Sequence, residues 1–184
     1  IRKQIMMNAG MDDRELQLKI DAYGDMLFKL SFIRLQNVQD AEDVVQEAFY
    51  QYVKKGGSFE SPEHEKAWLL KVTLNACRKV WRSAWKRHQC DWEQEAADGS
   101  HLTQAVVPGP EESACQKEER RRLMGKVMAL PVKYRDVVHL FYYEELSVKE
   151  IALVTGRAES TVASQLTRGR NLLKKSLKEE YEFE

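Results

Sequence analysis

The chain has no surplus of either charge. Its 29 lysines and arginines are matched by 29 aspartates and glutamates, so 184 residues, 32% of them charged, carry no formal net charge. Taken whole, that balance argues against a nucleic-acid binder, whose usual footprint is a basic excess. There is no run of about 18 consecutive apolar residues, which excludes a spanning helix, and no opening apolar stretch with a small-residue cleavage site. A cytoplasmic protein is therefore expected. Cysteine is scarce: Cys77, Cys90 and Cys115 are odd in number and lack a Cys-x-x-Cys spacing, which fits neither a disulfide framework nor a zinc site. They read as ordinary reduced thiols. His64, His88, His101 and His139 lack metal-ligand spacing, and neither a phosphate-cradling Gly-Lys loop nor a nucleophile motif occurs. No catalytic residue, metal or cofactor is expected, and the chain does not read as an enzyme. Alternating strand patterns are missing as well, while 43% apolar content argues against a wholly disordered chain.

Neutrality dissolves when the chain is divided. Residues 1–90 hold 15 basic and 12 acidic side chains, residues 91–119 hold 1 and 8, and residues 120–184 hold 13 and 9. The middle stretch also contains Gly99, Pro108, Gly109 and Pro110 and has no sustained apolar period. An all-α protein of two small helical domains is expected, residues 15–90 and 119–184, joined by a flexible acidic linker over 91–118. Residues 1–14 read as a tag or a disordered amino terminus.

In the first lobe Leu16, Ile20, Tyr23, Leu27 and Leu30 recur at spacings of four and three, on one face of a helix. Gln36 to Gln39 interrupt the pattern. Asp40 is expected to cap a second helix with the apolar stripe Ala41, Val44, Val45, Ala48, Phe49 and Tyr52, ending before Gly56-Gly57. A third helix is expected from about Glu65 to about Arg87. Its Leu69, Val72, Ala76 and Val80 share one face, and Lys71, Asn75, Arg78, Lys79, Arg82 and Lys86 another, roughly 110° away.

Residues 64–90 carry seven basic side chains and one acidic one. A solvated face normally mixes signs. Trp68 at the edge of this one and Trp85 near it add flat surfaces among cations, the combination that holds single-stranded bases. A surface helix with snorkelling lysines and core tryptophans is the plainer alternative. The preceding loop, Gly56 to Pro62, offers Phe59 as an apolar wall and Asn75 as an amide partner for an extruded base.

The sharpest local signal lies in the second lobe. Ser147 and Glu150 make a capping box, Ala152 is small where two helices cross, Gly156 permits a turn at positive φ, and Val162 plugs the shared core. These spacings describe a helix-turn-helix. Its second helix offers Ser160, Thr161, Ser164, Gln165, Thr167 and Arg168 to a major groove, flanked by Arg157, Arg170, Lys174 and Lys175. Leu166, Leu172, Leu173 and Leu177 read as core, and Leu130, Tyr134, Val137, Val138 and Phe141 make a supporting helix begun at Pro131.

Asp40 to Phe49, Trp68 to Asn75 and Leu146 to Arg170, in that order around an acidic connector, resemble the bacterial RNA polymerase sigma factors of the extracytoplasmic-function group. The likeness covers roughly residues 15–180. It implies that Asp40, Glu42, Asp43, Gln46 and Glu47 form the surface for core RNA polymerase. It further implies that Phe59, Trp68, Lys71, Asn75, Arg78, Lys79 and Arg82 receive the unpaired minus-10 element. Arg157, Ser160, Thr161, Ser164, Gln165, Thr167 and Arg168 would meet the minus-35 duplex. Promoter DNA and a membrane-linked anti-sigma factor are implied partners. Departures from the family pattern are Ala158, Ala163 and Gly169, the last expected to weaken the recognition helix by up to about 1 kcal/mol. An operator-binding regulator would explain the hairpin but not the basic aromatic helix; a protein-binding adaptor would leave Arg168 and the basic faces without a purpose.

Overall fold

In the computed structural model, residues 12–87 and 114–181 are described. Every regular element among them is an α-helix, and contacts divide the chain into two compact units between Ala97 and Asp98. Residues 1–11 and 91–113, most of the stretches read as amino terminus and linker, lie outside the described residues.

The first unit is a three-helix bundle of α1 (Asp13–Leu35), α2 (Val38–Lys55) and α3 (Pro62–Arg87), each packed on the other two. Its core is built from Leu27, Leu30, Phe32 and Ile33 of α1, Ala41, Val44, Ala48, Phe49, Tyr52 and Val53 of α2, and Leu69, Leu70, Leu74, Ala76 and Cys77 of α3. The α1 stripe tapers: Leu16, Ile20 and Tyr23 are only half-buried. Cys77 is buried in a cluster with Val44 and Ala76.

Two helix starts differ from expectation. The cap of α2 is Asn37, whose side chain accepts from the Asp40 N–H at 2.9 Å, while Gln36 closes α1 in the left-handed region at φ 57°. Asp40 is instead an acid in the first turn, where it meets the positive end of the helix dipole. Helix α3 begins three residues early. The Ser61 oxygen accepts from the His64 N–H at 3.1 Å, and Pro62 fills the first helical position, where a missing N–H costs nothing.

The second unit contains α4 (Ala114–Ala129), α5 (Val132–Tyr142), α6 (Val148–Thr155) and α7 (Glu159–Tyr181), with α7 packed against the other three. Helix α4 begins within the stretch read as linker. Pro131 stands just before α5 rather than in it, its carbonyl accepting from Tyr134 and Arg135. The Arg135 guanidinium, buried, donates twice to the Leu130 carbonyl and closes the α4–α5 corner. Both halves of the Ser147–Glu150 capping box are formed, and Gly156 ends α6 at φ 69° with its N–H on the Ala152 carbonyl.

One expectation about α7 needs correcting, and another gains a structural setting. Leu172 is 41% exposed and not core, although Leu166 is buried. Gly169 is not simply a weak link: a Cβ there would stand 3.0 Å from Val138 Cγ2 and 3.4 Å from Tyr134 Cβ. Its bare backbone lets α7 approach α5, which offsets the entropy a helical glycine costs. Ala158 precedes α7, its carbonyl accepting the Val162 N–H, and Ser160 lies inside the helix.

Candidate nucleic-acid interface

Along α3, Trp68, Lys71, Asn75 and Arg78 follow one another at helical spacings of three and four, and Lys79 and Arg82 lie four residues beyond Asn75 and Arg78, so the six form one stripe. Lys71, Asn75, Lys79 and Arg82 are exposed; Trp68 and Arg78 are half-buried. The Arg78 Nη1 donates to Asn75 Oδ1 at 2.7 Å, leaving the amide nitrogen of Asn75 pointed away from that bond as a donor. Leu69, Leu70, Thr73, Leu74, Ala76 and Cys77 bury the other side, a wider arc than the four apolar positions expected, with Val72 and Val80 only half-buried. Among the described residues an exposed indole is Trp81, at 50%, beside the stripe and not among the expected residues. The side chains of Trp85 and Lys86 lie outside the described residues.

At the amino-terminal end of the stripe stands an aromatic cluster. Gly56 and Gly57, at φ 82° and 63°, turn the chain back so that Phe59 reaches α2 and α3. Its ring lies 5.6 Å from that of Tyr52 and nearly parallel to it, 5.4 Å from Trp68, and edge-on to His64 at 5.7 Å. Lys55 Nζ lies 4.1 Å above the same ring and donates to the Ser58 carbonyl. Phe59 is therefore half-buried in a box of rings with a cation on it.

Beneath this cluster lies a group that the motifs did not single out. Glu65 is 4% exposed and accepts from Lys19 Nζ at 2.7 Å, Tyr23 Oη at 2.9 Å and Tyr52 Oη. Burial pushes its carboxyl up, but the bonds from Lys19, Tyr52 and Tyr23 outweigh burial and hold it below the usual range. Burial and the same carboxylate push the Tyr23 phenol up to about 12 and the Tyr52 phenol up as well. The signal was present in the sequence: Glu65 is the one acid among seven bases over residues 64–90.

On α2, Glu42, Asp43 and Gln46 are exposed, and Asp40 and Glu47 half-buried, away from the buried stripe through Ala41, Val44, Ala48 and Tyr52. Gln51 donates to Glu47 Oε1 at 2.8 Å and Gln39 weakly to Asp43 Oδ1 at 3.4 Å. This face presents mainly acceptors.

On α7, Ser160, Thr161, Ser164, Thr167 and Arg168 are exposed. Ser164 Oγ donates to the Thr161 carbonyl and Thr167 Oγ1 to the Ala163 carbonyl, so both hydroxyls spend their protons on the helix and offer lone pairs outward. The Tyr134 phenol is held below its usual range chiefly by the Arg168 guanidinium. Arg157 and Gln165 are different. Arg157 donates to Gln165 Oε1 at 3.0 Å, to the Lys133 carbonyl at 3.3 Å, and pairs at 3.3 Å with Asp136, whose side chain is 1% exposed. These two side chains brace the turn from within. Arg170, among the expected flanking bases, lies over the rings of Phe141 and Tyr142 at 5.1 and 5.4 Å.

Among the described residues no group of three or more His, Cys, Asp or Glu side chains is placed to hold a metal ion, and no helix is long and apolar enough to cross a membrane. What the surfaces offer is a one-signed basic stripe with rings beside it, a polar groove-sized helix face, and an acidic face.

Residues 20–87 match the family described as Sigma-70 region 2, and residues 120–173 the family described as Sigma-70, region 4. Over 182 residues the chain is 30% identical to the ECF RNA polymerase sigma factor SigW of Bacillus subtilis (strain 168), covering 97% of each. It is 26% identical over 170 residues to the RNA polymerase sigma-H factor of Pseudomonas aeruginosa, covering 90% of this chain and 88% of that one. In fold it is similar to the sigma factor RpoE of Bartonella quintana, solved in complex with the anti-sigma factor NepR, with a TM-score of 0.70, 21% identity, and coverage of 90% and 98%.

Proposed function

The chain belongs to the extracytoplasmic-function (ECF) group of the sigma-70 family, and from that premise we propose how its residues divide the work of promoter-specific transcription initiation. A sigma factor binds core RNA polymerase and directs it to promoters; it acts by binding and catalyses no covalent step of its own. Asp40, Glu42, Asp43, Gln46 and Glu47 meet a basic surface of core polymerase. The α3 stripe of Trp68, Lys71, Asn75, Arg78, Lys79 and Arg82 tracks the minus-10 non-template strand, whose extruded base is received between Phe59 and the Asn75 amide. A site that holds only the unpaired base draws the duplex toward its melted state by exactly its preference for that state. Ser160, Thr161, Ser164, Thr167 and Arg168 face the minus-35 major groove, while Arg157 and Gln165 set the angle of that helix from behind.

The observation that carries this reading is the α3 stripe itself: one sign of charge, an amide at its centre and stacked rings at its end, on the region that matches Sigma-70 region 2. The two working domains are the helical units that open at Asp13 and at Ala114, and the acidic stretch of the sequence connects them. The protein works in the cytoplasm, where its polymerase is. Because the Bartonella relative was solved with an anti-sigma factor, a membrane-linked protein of that class is the expected restraint on this one.

The test is run-off transcription with purified core polymerase over a panel of genomic promoters. Promoter-specific transcripts above core alone are expected, falling steeply as salt rises because phosphate contacts release counterions. Their absence from every promoter would sink the proposal.

A further inference from the structure

The loop that carries Phe59 has little in its own backbone to aim it. It is entered through Gly56 and Gly57 at φ 82° and 63°, and glycine leaves neighbouring conformations open as well. Phe59 is fixed instead by a relay of contacts from the core. Glu65 of α3 gathers Lys19 and Tyr23 from α1 and the Tyr52 hydroxyl from α2. Tyr52 is wholly buried, and its ring lies 13° from parallel to that of Phe59, which rests on Trp68. A phenol bonded to an ionised, buried carboxylate cannot swing without leaving that carboxylate short of a donor. The ring plane of Tyr52, and with it that of Phe59, is thereby held.

We infer that Tyr52, held by Glu65, is a positioning residue for capture of the unpaired minus-10 base: it sets the plane of the Phe59 ring without itself touching DNA. The inference rests on the proposed role of Phe59, and the test separates the two. The full chain is assembled with core polymerase, and its affinity is measured for a single-stranded oligodeoxynucleotide with the non-template minus-10 sequence of a promoter the protein transcribes. Phe59→Ala removes the wall, Tyr52→Leu keeps buried bulk but removes the ring, and Tyr52→Phe removes only the hydroxyl.

Loss of a stacked ring weakens strand binding by about tenfold or more, the result expected for Phe59→Ala and Tyr52→Leu. Tyr52→Phe should weaken it by about threefold, as for one hydrogen bond. In each case affinity for core polymerase stays within about twofold of the parent. Because Tyr52 shares α2 with the acidic face, a merely structural role would lower strand and core affinities together, and that outcome overturns the inference. Parental strand binding by both Tyr52 variants, with Phe59→Ala impaired, overturns the inference and leaves the minus-10 reading standing. Parental binding by Phe59→Ala overturns both. If Tyr52→Leu does not fold, Tyr52→Phe decides alone.

Discussion

Each unit presents its candidate DNA side chains on one long helix, and each keeps a buried carboxylate behind them, but the two acids are answered differently. In the first unit Glu65 is met by one ammonium and two phenols from α1 and α2, so three helices converge on a single group. In the second, Asp136 is met by the Arg157 guanidinium, which spans from α5 to Gln165 on α7. The first arrangement orders rings, the surface on which an unpaired base stacks; the second orders a helix axis, the quantity that matters for entry into a groove. A buried acid beneath a candidate DNA-facing surface is here a joint, neutralised locally, and not a source of repulsion.

The contrast can be broken most forcefully at its larger joint. Glu65→Ala strands the Lys19 ammonium and two phenols and should cost the first unit about 3 kcal/mol. Urea unfolding followed by tryptophan fluorescence reports this, since all four tryptophans, Trp68, Trp81, Trp85 and Trp92, precede the second unit; amide exchange in α5 to α7 should be unchanged. An equal loss in both units would deny that the joints are separate. Asp136→Ala should cost the second unit about 2 kcal/mol through the stranded Arg157, read as faster exchange in α6 and α7 with the tryptophan transition unmoved.

At the surfaces the effects are functional. Asn75→Ala should slow open-complex formation about tenfold and spare core binding, whereas Arg168→Ala should weaken minus-35 duplex binding and reduce its salt slope by about one. Impairment of the same step by both variants would erase the division between the units. The units should also part in alkali. Tyr23, raised from 10.0 to about 12, gives the first unit stability that is complete below pH 10 and lost as pH climbs toward 12. Tyr134 is lowered, so its contribution in the second unit grows with pH through the phenol range. Melting curves of the parent and Tyr23→Phe across pH 9 to 12 measure this; an unchanged slope in the variant would refute it. The smallest change is Gly169→Ala, where helix propensity gained and crowding against Val138 should leave a net shift under about 1 kcal/mol by thermal melting.

Most helices were legible from periodicity, because burial on one face leaves a repeat of three and four in the chain. Boundaries were less so. Asn37 and Asp40 are both capping side chains three residues apart, and only the backbone decides which stands outside the helix; Ser61-Pro62 is a start signal that the expected loop concealed. The candidate stripe on α3 was readable down to single residues because its positions are local. The Tyr52–Glu65 bond was not, since it joins residues 13 apart on different helices, and the sequence held only the oddity of a lone acid among bases. Arg157 and Gln165 illustrate the same limit. Their types suit a groove, but the Asp136 side chain that engages Arg157 lies 21 residues away.

The tight crossing at Gly169 has a consequence for how this family can vary. With Val138 Cγ2 only 3.0 Å from where a Cβ would stand, the two positions are not independent letters. A relative that carries alanine at the position of Gly169 is expected to carry a smaller side chain at that of Val138, so that the sites drift as a pair. Enlarging Gly169 alone crowds Val138, whereas shrinking Val138 alone leaves a gap, so a change at one position favours a matching change at the other.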